Sequence, residues 1–265
     1  MIKIISFLVI FLGLIYYNLN NFYEKFEDGN VFNDYFDKII YINLEHRKDR
    51  KEQILNELKK MGINENKIYR LNAVHEKYNG HIGCAKSHIN LINYAKKNNY
   101  KNILVFEDDF VFTNNKKEVL ERLNKFLRQN KGKWDVVQLT SHYKTFREND
   151  EENHVRLVNK ASTSSSYMIN EAFYDKLLQS LNSSVENMER EMVEFNKSNN
   201  NIKKKKTTTR YALDQHWYPL QKSSNWFLFD PYLGKQGGKA GNSSIMSKNL
   251  EGFVVNTARV FRLNL

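Results

Sequence analysis

Short apolar runs alternate with amphipathic stretches along most of this chain. The apolar runs are rich in β-branched residues, as buried strands are. Between them, apolar positions recur at the i, i+3, i+4, i+7 spacing that predicts helices with one buried face. The predicted strands are Ile39–Leu44, Ile68–Val74, Ile103–Phe106, Trp134–Thr140 and Ser165–Ile169, and the predicted helices are Glu45–Gly62, Ala85–Asn98, Lys116–Gln129 and Glu171–Leu181.

This alternation predicts an α/β fold with a mostly parallel sheet and helices on both faces. In such sheets, ligands bind beyond the carboxyl ends of the strands. The segments that follow the first and third strands, Asn43–Arg50 and Glu107–Asp109, are therefore expected to lie on the same edge of the sheet.

The first residues of the chain have the pattern of a membrane anchor. Ile4–Tyr17 is apolar except for Ser6 and Gly13. As a helix, residues 1–19 would span roughly 28 Å, close to the thickness of a bilayer core of about 30 Å. No small-residue cleavage site follows, so we expect an uncleaved signal-anchor over residues 1–20 in preference to a cleaved signal peptide. Lys3 favours a single-pass membrane protein with its catalytic domain in a lumen, and residues 21–36 would form a stem.

Composition makes the rest of the chain, residues 37–265, an ordinary globular domain. The 265 residues are 41% hydrophobic and 13% aromatic, and the aromatic content is too high for a disordered chain. A single cysteine excludes an internal disulfide and a zinc cluster built from cysteines. Residues 183–210 are of low complexity, which predicts a solvated, mobile insertion. The net charge of +11 is dispersed apart from Lys203–Lys206, so no nucleic-acid partner is expected.

Three consecutive carboxylates, Glu107, Asp108 and Asp109, follow the third strand. At the end of a buried strand they would form a hard-oxygen site suited to Mn²⁺ or Mg²⁺. Since side chains alternate along a strand, Glu107 and Asp109 should share one side while Asp108 faces away. A helix cap or a solvated turn is the alternative explanation for such a short acidic run.

Three further segments combine residues that are able to bind a ligand. Gly83–His88 (GCAKSH) is predicted to lead into a helix, whose free N–H groups would bind an anion. Asn43–Arg50 offers arginines for a phosphate or a base edge. Leu213–Trp217 places a carboxylate two residues from a histidine. Taken singly, each segment is also compatible with a capped helix, surface ion pairs or ordinary packing.

Taken together and in this order, the segments resemble glycosyltransferase family 25, which contains lipooligosaccharide β-galactosyltransferases and procollagen galactosyltransferases. The resemblance rests on Tyr41–Arg50 (YINLEHRKDR), GCAKSH, Ile103–Asp109 (ILVFEDD), Ser165–Ile169, LDQHW and the final Gln236-Gly237-Gly238. It covers about Lys38 to Ile245. It implies a GT-A-type, Rossmann-like fold, UDP-galactose or UDP-glucose as donor, a divalent metal ion, and inversion at the anomeric carbon.

The resemblance also implies roles for single residues. Asp109 would be the main metal ligand, with Glu107 beside the metal or the ribose, and Asp214 would be the catalytic base. The implied donor-binding residues are Asn43, Arg47, Arg50, Ser87, His88, Glu107, Asp108 and Gln236. One departure concerns the last motif, where the family often has an aspartate after the serine and this chain has Ser243-Ser244-Ile245.

The function that the resemblance implies is transfer of a hexose to a hydroxyl of a glycan, glycolipid or glycoprotein. Three alternatives stay open: a catalytically inactive, membrane-tethered sugar-binding module, a metal-dependent phosphoesterase, and a nucleic-acid binder. Neither the acceptor nor the choice between galactose and glucose is fixed by the sequence.

Overall fold

A computed structural model describes residues 11–14, 29–130, 132–147, 155–199 and 210–237. For residues 195–199 it describes the backbone alone. Ten strands are present in this part of the chain. They are β1 (Lys38–Asn43), β2 (Ile68–Asn72), β3 (Asn102–Glu107), β4 (Phe110–Phe112), β5 (Val136–Gln138), β6 (Lys144–Phe146), β7 (Val155–Ala161), β8 (Ser166–Asn170), β9 (Trp226–Phe229) and β10 (Gly234–Gln236).

Helices connect most of the strands, and their apolar stripes cover the sheet. They are α1 (Val31–Asp34), α2 (Lys48–Lys60), α3 (Gly80–Lys97), α4 (Lys116–Asn130), α5 (Tyr174–Asn199), α6 (Leu213–His216) and α7 (Tyr218–Ser223). Short 3₁₀ turns at Glu65–Lys67 and Glu171–Phe173 precede β2 and α5.

Eight strands form one sheet in the order β2-β1-β3-β8-β5-β9-β7-β6. Strands β1, β2 and β3 are parallel to one another, whereas β8 is antiparallel to both β3 and β5. Strand β9 is parallel to β5, and β7 is antiparallel to β9 and to β6. All but β7 and β8 therefore run in the same direction, which agrees with the predicted mostly parallel sheet. The carboxyl ends of β1 and β3 are adjacent, because Ile42 is in register with Glu107.

The sheet has a hydrophobic core on each face, and alternation along the central strands divides residues between them. Ile103 and Val105 of β3 face the core formed with α3 and α5, whereas Leu104 and Phe106 face the core formed with α2 and α4. Glu107 continues the first set, so its side chain is expected on the α3 face of the sheet. This three-layer arrangement is the predicted α/β architecture.

The predicted elements exist, with shifted ends, and several short strands were not predicted. The strands that were not predicted do not alternate regularly with helices, so the βαβ pattern in the sequence does not reveal them. They are β4, β6, β7, β9 and β10. A small second sheet pairs β4 antiparallel with β10 and places Gln236 opposite Phe110. Residues from the end of the described chain are thereby brought beside the acidic segment.

The prediction of a mobile insertion from residue 183 was wrong for residues 183–199, which continue helix α5. Leu181, Val185 and Met188 are buried at helical spacing. They belong to the core that α5 shares with α3. The polar composition of the segment hid this stripe, because only one face of the helix is apolar. Residues 200–209, including Lys203–Lys206, lie outside the described residues.

Most of the predicted anchor and stem, residues 1–36, also lies outside the described residues. Residues 11–14 are helical, and the side chains of Phe11, Leu12 and Leu14 are more than half exposed. Among the described residues, no helix has the length and apolar character needed to cross a membrane.

Candidate functional site

The acidic segment lies where β3 ends and turns into β4. Strand β3 stops at Glu107, so the alternation that would turn Asp108 away from Asp109 no longer applies. That prediction was wrong: both aspartates contact the same guanidinium. Arg50 Nη1 lies 3.1 Å from Asp108 Oδ1 and 3.3 Å from Asp109 Oδ2. Arg50 and the two aspartates are all buried.

The segment after β1 holds this turn in place. Asn43 Nδ2 donates to Asp108 Oδ2 at 2.8 Å and to the carbonyl oxygen of Arg47 at 3.0 Å. Burial raises the pKa of Asp108, while Asn43 and Arg50 oppose that shift. Arg47 itself pairs with Asp49 at 2.8 Å, outside the cleft beside the acidic segment. Asn43 and Arg50, by contrast, act directly on the acidic turn.

Glu107 points to the α3 face, as its position in β3 requires. Its Oε1 accepts a hydrogen bond from Ser164 Oγ at 2.5 Å and lies 3.4 Å from His88 Nε2. Burial raises the pKa of Glu107, but hydrogen bonding and charge from His88, with help from Ser164, lower it below its ordinary value. Gln236 Nε2 lies 3.5 Å from Glu107 Oε2 and 3.4 Å from Asp109 Oδ2, so β10 connects the two carboxylates.

The GCAKSH segment was predicted to lead into a helix. That prediction was wrong, because the segment lies inside helix α3. Helix α3 starts at Gly80, because the side chain of Asn79 caps it by accepting the His81 N–H at 3.0 Å. Ser87 Oγ donates to the Gly83 carbonyl at 2.7 Å and accepts from the Val74 N–H at 2.8 Å. Ser87 therefore attaches the β2–α3 loop to the helix. A Cβ on Gly83 would come within 2.6 Å of the Val74 oxygen, so this close approach requires glycine.

The carboxylates at the end of β3 fit a divalent cation. Asp109 Oδ1 is buried and has no hydrogen-bond partner. Burial, together with the neighbouring charge of Glu107, raises the pKa of Asp109 to about 7. An unpartnered buried carboxylate oxygen beside a second carboxylate is costly unless a cation neutralises it. Asp109 and Glu107 offer the hard oxygen ligands that Mn²⁺ and Mg²⁺ prefer.

Two clefts meet at this cluster. The first lies beyond β1 and β3 and includes Arg50, Ser87 and the three acidic residues. The second lies beside α6 and is lined by Asp214 with His81 and His142. The residues that line both clefts are Cys84, Glu107 and Gln236. A group bound in one cleft therefore reaches a group in the other across the end of β3.

Asp214 is connected to the acidic segment through Thr163. The Thr163 N–H donates to Asp214 Oδ2 at 2.9 Å, and Thr163 Oγ1 donates to Gln236 Oε1 at 2.9 Å. Thr163 has a φ of +73°, an uncommon value for a β-branched residue, and Gln138 Nε2 donates to its carbonyl at 2.7 Å. Burial raises the pKa of Asp214, partly offset by the Thr163 N–H.

Thr163 and Ser164 were not identified from the sequence. A signal for them is the unbroken run of hydroxyl residues over 162–166, all of them buried. Such a run just before a core strand is uncommon, because each buried hydroxyl needs a partner. His81 and Tyr167 were also missed, since a lone histidine or tyrosine has no spacing that marks it.

The sequence comparisons support the motif-based resemblance. The family model described as glycosyltransferase family 25 (LPS biosynthesis protein) matches residues 64–193. This range contains the GCAKSH and EDD segments, whereas Asn43, Arg50, Asp214 and Gln236 lie outside it. No curated protein matches the chain.

Solved structures give weaker likenesses. UDP-glucose pyrophosphorylase complexed with UDP-glucose is 8% identical over 86% of this chain and 99% of that one, with a TM-score of 0.43. Mannose-1-phosphate geranyltransferase from Thermus thermophilus is 9% identical over 72% of each chain, with a TM-score of 0.41. A glycosyltransferase involved in the glycosylation of the major capsid of PBCV-1 is 12% identical over 72% of this chain and 92% of that one, with a TM-score of 0.33. At TM-scores below 0.5, no conclusion about fold or function follows from these likenesses.

Proposed function

We propose that this chain, which is a family 25 glycosyltransferase by its match over residues 64–193, transfers galactose or glucose from a UDP-sugar to an acceptor hydroxyl with inversion. The observation that carries this proposal is the meeting of two clefts at the acidic end of β3, with Asp214 in the second cleft. A sugar transferase of this kind needs a donor site and an acceptor site that share one reaction centre. The fold would be of the GT-A type.

The first cleft is the proposed donor site. It lies beyond the carboxyl ends of parallel strands, where nucleotides bind in α/β sheets. Gly80, at the start of α3, lines it, so the positive end of the helix dipole faces this cleft. Asp108, held by Asn43 and Arg50, fixes the turn that carries Asp109. Arg47, Ser87 and His88 remain proposed donor-side residues, and the contacts of Ser87 favour a positioning role.

Asp109 and Glu107 are the proposed ligands of a Mn²⁺ or Mg²⁺ ion. When bound, such an ion supplies positive charge to the departing diphosphate. Gln236 keeps the two carboxylates at a fixed separation through its amide nitrogen. The Ser243-Ser244-Ile245 segment lies outside the described residues.

Asp214 is the proposed base. Its carboxylate would take the proton from the acceptor hydroxyl, and that oxygen would attack the anomeric carbon opposite the UDP leaving group. The raised pKa of Asp214 suits this step, since a base works best when its pKa approaches the working pH. The hydrogen bond from the Thr163 N–H orients one carboxylate oxygen of Asp214, which lines the second cleft. The product of an α-linked donor would be a β-linked sugar.

The acceptor is proposed only by class, as a glycan, glycolipid or glycoprotein hydroxyl. Membrane attachment through residues 1–20, with the catalytic domain in a lumen, remains a proposal from the sequence pattern. The second candidate, an inactive sugar-binding module, would keep donor binding and lose turnover.

The test is UDP release by the full chain offered UDP-galactose and UDP-glucose in turn, each with Mn²⁺ or with EDTA. Candidate acceptors are added class by class, and inorganic phosphate is assayed in parallel. Metal-dependent UDP release that rises with one acceptor class supports the transferase. Donor binding without release under any acceptor supports the inactive module, and phosphate release in place of UDP supports a phosphoesterase.

A further inference from the structure

A second group of ligand-type side chains lies next to the acidic segment, and the function above gives neither its thiol nor its imidazole a metal-binding role. Cys84 and His88 are four residues apart on α3, so both face the sheet, and Glu107 reaches them from the end of β3. Their ligand atoms all lie within 4.8 Å of one another. Cys84 Sγ is 3.8 Å and His88 Nε2 is 3.4 Å from Glu107 Oε1.

The two distances to Glu107 Oε1 are close to those between the ligand atoms of a tetrahedral metal site. Bond lengths of about 2.0–2.3 Å to zinc, with tetrahedral angles, place ligand atoms roughly 3.3–3.6 Å apart. One sulfur, one imidazole nitrogen and one carboxylate oxygen form a set that zinc accepts. A single cysteine rules out a cluster built from several thiolates, but it is sufficient for a mixed set of this kind.

The surroundings of His88 are those of a metal-binding histidine. Its Nδ1 lies 2.8 Å from the hydroxyl of Tyr167, and its Nε2 faces Glu107 Oε1 at 3.4 Å. Histidine ligands usually hydrogen-bond through the second ring nitrogen in this way, which fixes the ring and its tautomer. Both His88 and Tyr167 are 1% exposed, so packing holds this arrangement.

We propose that Cys84, His88 and Glu107 form a binding site for a thiophilic divalent cation of the Zn²⁺ class, separate from the Mn²⁺ or Mg²⁺ position at Asp109. The two sites differ in ligand chemistry, because Asp109 offers only oxygen. Glu107 touches both, with Oε1 toward His88 and Cys84 and Oε2 toward Gln236. Cys84 and Glu107 line both clefts, so the fourth position on the ion faces the open site.

Metal binding at this site requires loss of the Cys84 thiol proton, so the affinity for the metal ion depends on pH. Burial and the neighbouring Glu107 carboxylate raise the pKa of the Cys84 thiol, so the thiol is protonated without an ion. A metal ion must displace that proton to bind the thiolate.

The test is titration of the full chain with Co²⁺ alone, followed by Zn²⁺, monitored by absorption. Thiolate-bound Co²⁺ gives a sulfur-to-metal charge-transfer band, and tetrahedral coordination gives intense visible bands. Since the chain has one cysteine, such a band is assigned to Cys84 without ambiguity. We expect the band at one equivalent of Co²⁺, its loss on adding one equivalent of Zn²⁺, and its absence in Cys84→Ser and His88→Gln.

A Tyr167→Phe variant tests the surroundings separately and should weaken Zn²⁺ binding about 10–100-fold while keeping the band. The matched control is Asp109→Asn, which should lose Mn²⁺ binding and retain the cobalt band. Saturation with Co²⁺ without a charge-transfer band, or equal Zn²⁺ affinity in Cys84→Ser and wild type, would overturn the proposal. Neither readout depends on sugar transfer, so failure here is distinct from failure of the proposed function.

Discussion

At the scale of single residues, Asp109 is the group whose surroundings most need a cation. One of its oxygens is buried without a partner, and the other shares Arg50 Nη1 with Asp108. One guanidinium thus serves two buried carboxylates, with Glu107 close by as a third acid. Three acids beside one guanidinium favour the binding of a further positive charge, either a proton or a cation.

This imbalance would make binding of the proposed metal ion dependent on pH. The pKa of Asp109 is raised to about 7, so the carboxyl takes up a proton as the pH falls through 7, and the proton competes with the metal. Between pH 8 and pH 6 the deprotonated fraction of a group with this pKa falls about tenfold. The apparent Mn²⁺ affinity, measured by calorimetry, should fall by about that factor. Affinity that is constant over this range would contradict the assignment of Asp109 as ligand.

The second prediction at the scale of single residues concerns Asp214, the proposed base. Asp214→Asn preserves the shape and retains an oxygen for the Thr163 N–H, but it removes the proton acceptor. We expect kcat to fall about 10²–10⁴-fold, with the KM for UDP-sugar nearly unchanged. Steady-state UDP release at varied donor concentration measures both.

Asp175→Asn is the control for this variant, since Asp175 lies on the surface of α5 and pairs with Lys96. It should leave kcat and KM unchanged. If Asp214→Asn retains wild-type kcat, the base is another group.

At the scale of elements, the sequence pattern predicted the framework well and the local site geometry poorly. The long amphipathic helices were found because their apolar positions recur at helical spacing. Strands β1, β2, β3, β5 and β8 were found because each lies in a short apolar run. Helix α3 was predicted to start too late, because Asn79 caps it by a side-chain hydrogen bond that hydrophobic spacing does not show.

Contacts between distant segments were also beyond the sequence. Gln236 reaches Asp109 because the three-residue strand β10 pairs with β4, and Thr163 reaches Asp214 from a loop before β8. The family resemblance named Asp214 and Gln236, but only the structure connects them through Thr163. Short strands and loop backbone carry too little pattern for such pairings to be predicted.

The prediction at the scale of elements concerns the packing of helix α5 on α3. Met188 is fully buried against α3, whereas Val193 on the same helix is 52% exposed. Met188→Ala should lower the free energy of unfolding by about 2–5 kcal/mol. Denaturant unfolding followed by circular dichroism measures this loss.

Val193→Ala is the matched control, expected to change the free energy of unfolding by no more than about 0.5 kcal/mol. Equal, small losses in both variants would mean that this part of α5 does not pack on α3.

At the scale of the whole molecule, a mixed sheet with a core on each face brings three separate parts of the chain to one edge. The β1 and β3 ends supply Asn43, Arg50 and the acidic segment, α3 supplies the residues between the two clefts, and the last described segments supply Asp214 and Gln236. The family match covers the acidic segment and α3, whereas Asn43, Arg50, Asp214 and Gln236 lie outside it. The proposed function therefore requires that the segments outside the match complete one metal-dependent nucleotide site with those inside it.

The most direct test is calorimetric titration of UDP into the full chain, with Mn²⁺ or with EDTA, since it needs no acceptor. Wild type is compared with Asp109→Asn and with the surface control Asp175→Asn. We predict that UDP binds in Mn²⁺, that EDTA and Asp109→Asn each abolish this binding, and that Asp175→Asn binds as wild type does. UDP binding that survives both EDTA and Asp109→Asn, or no UDP binding in Mn²⁺, would contradict a metal-dependent donor site at the end of β3.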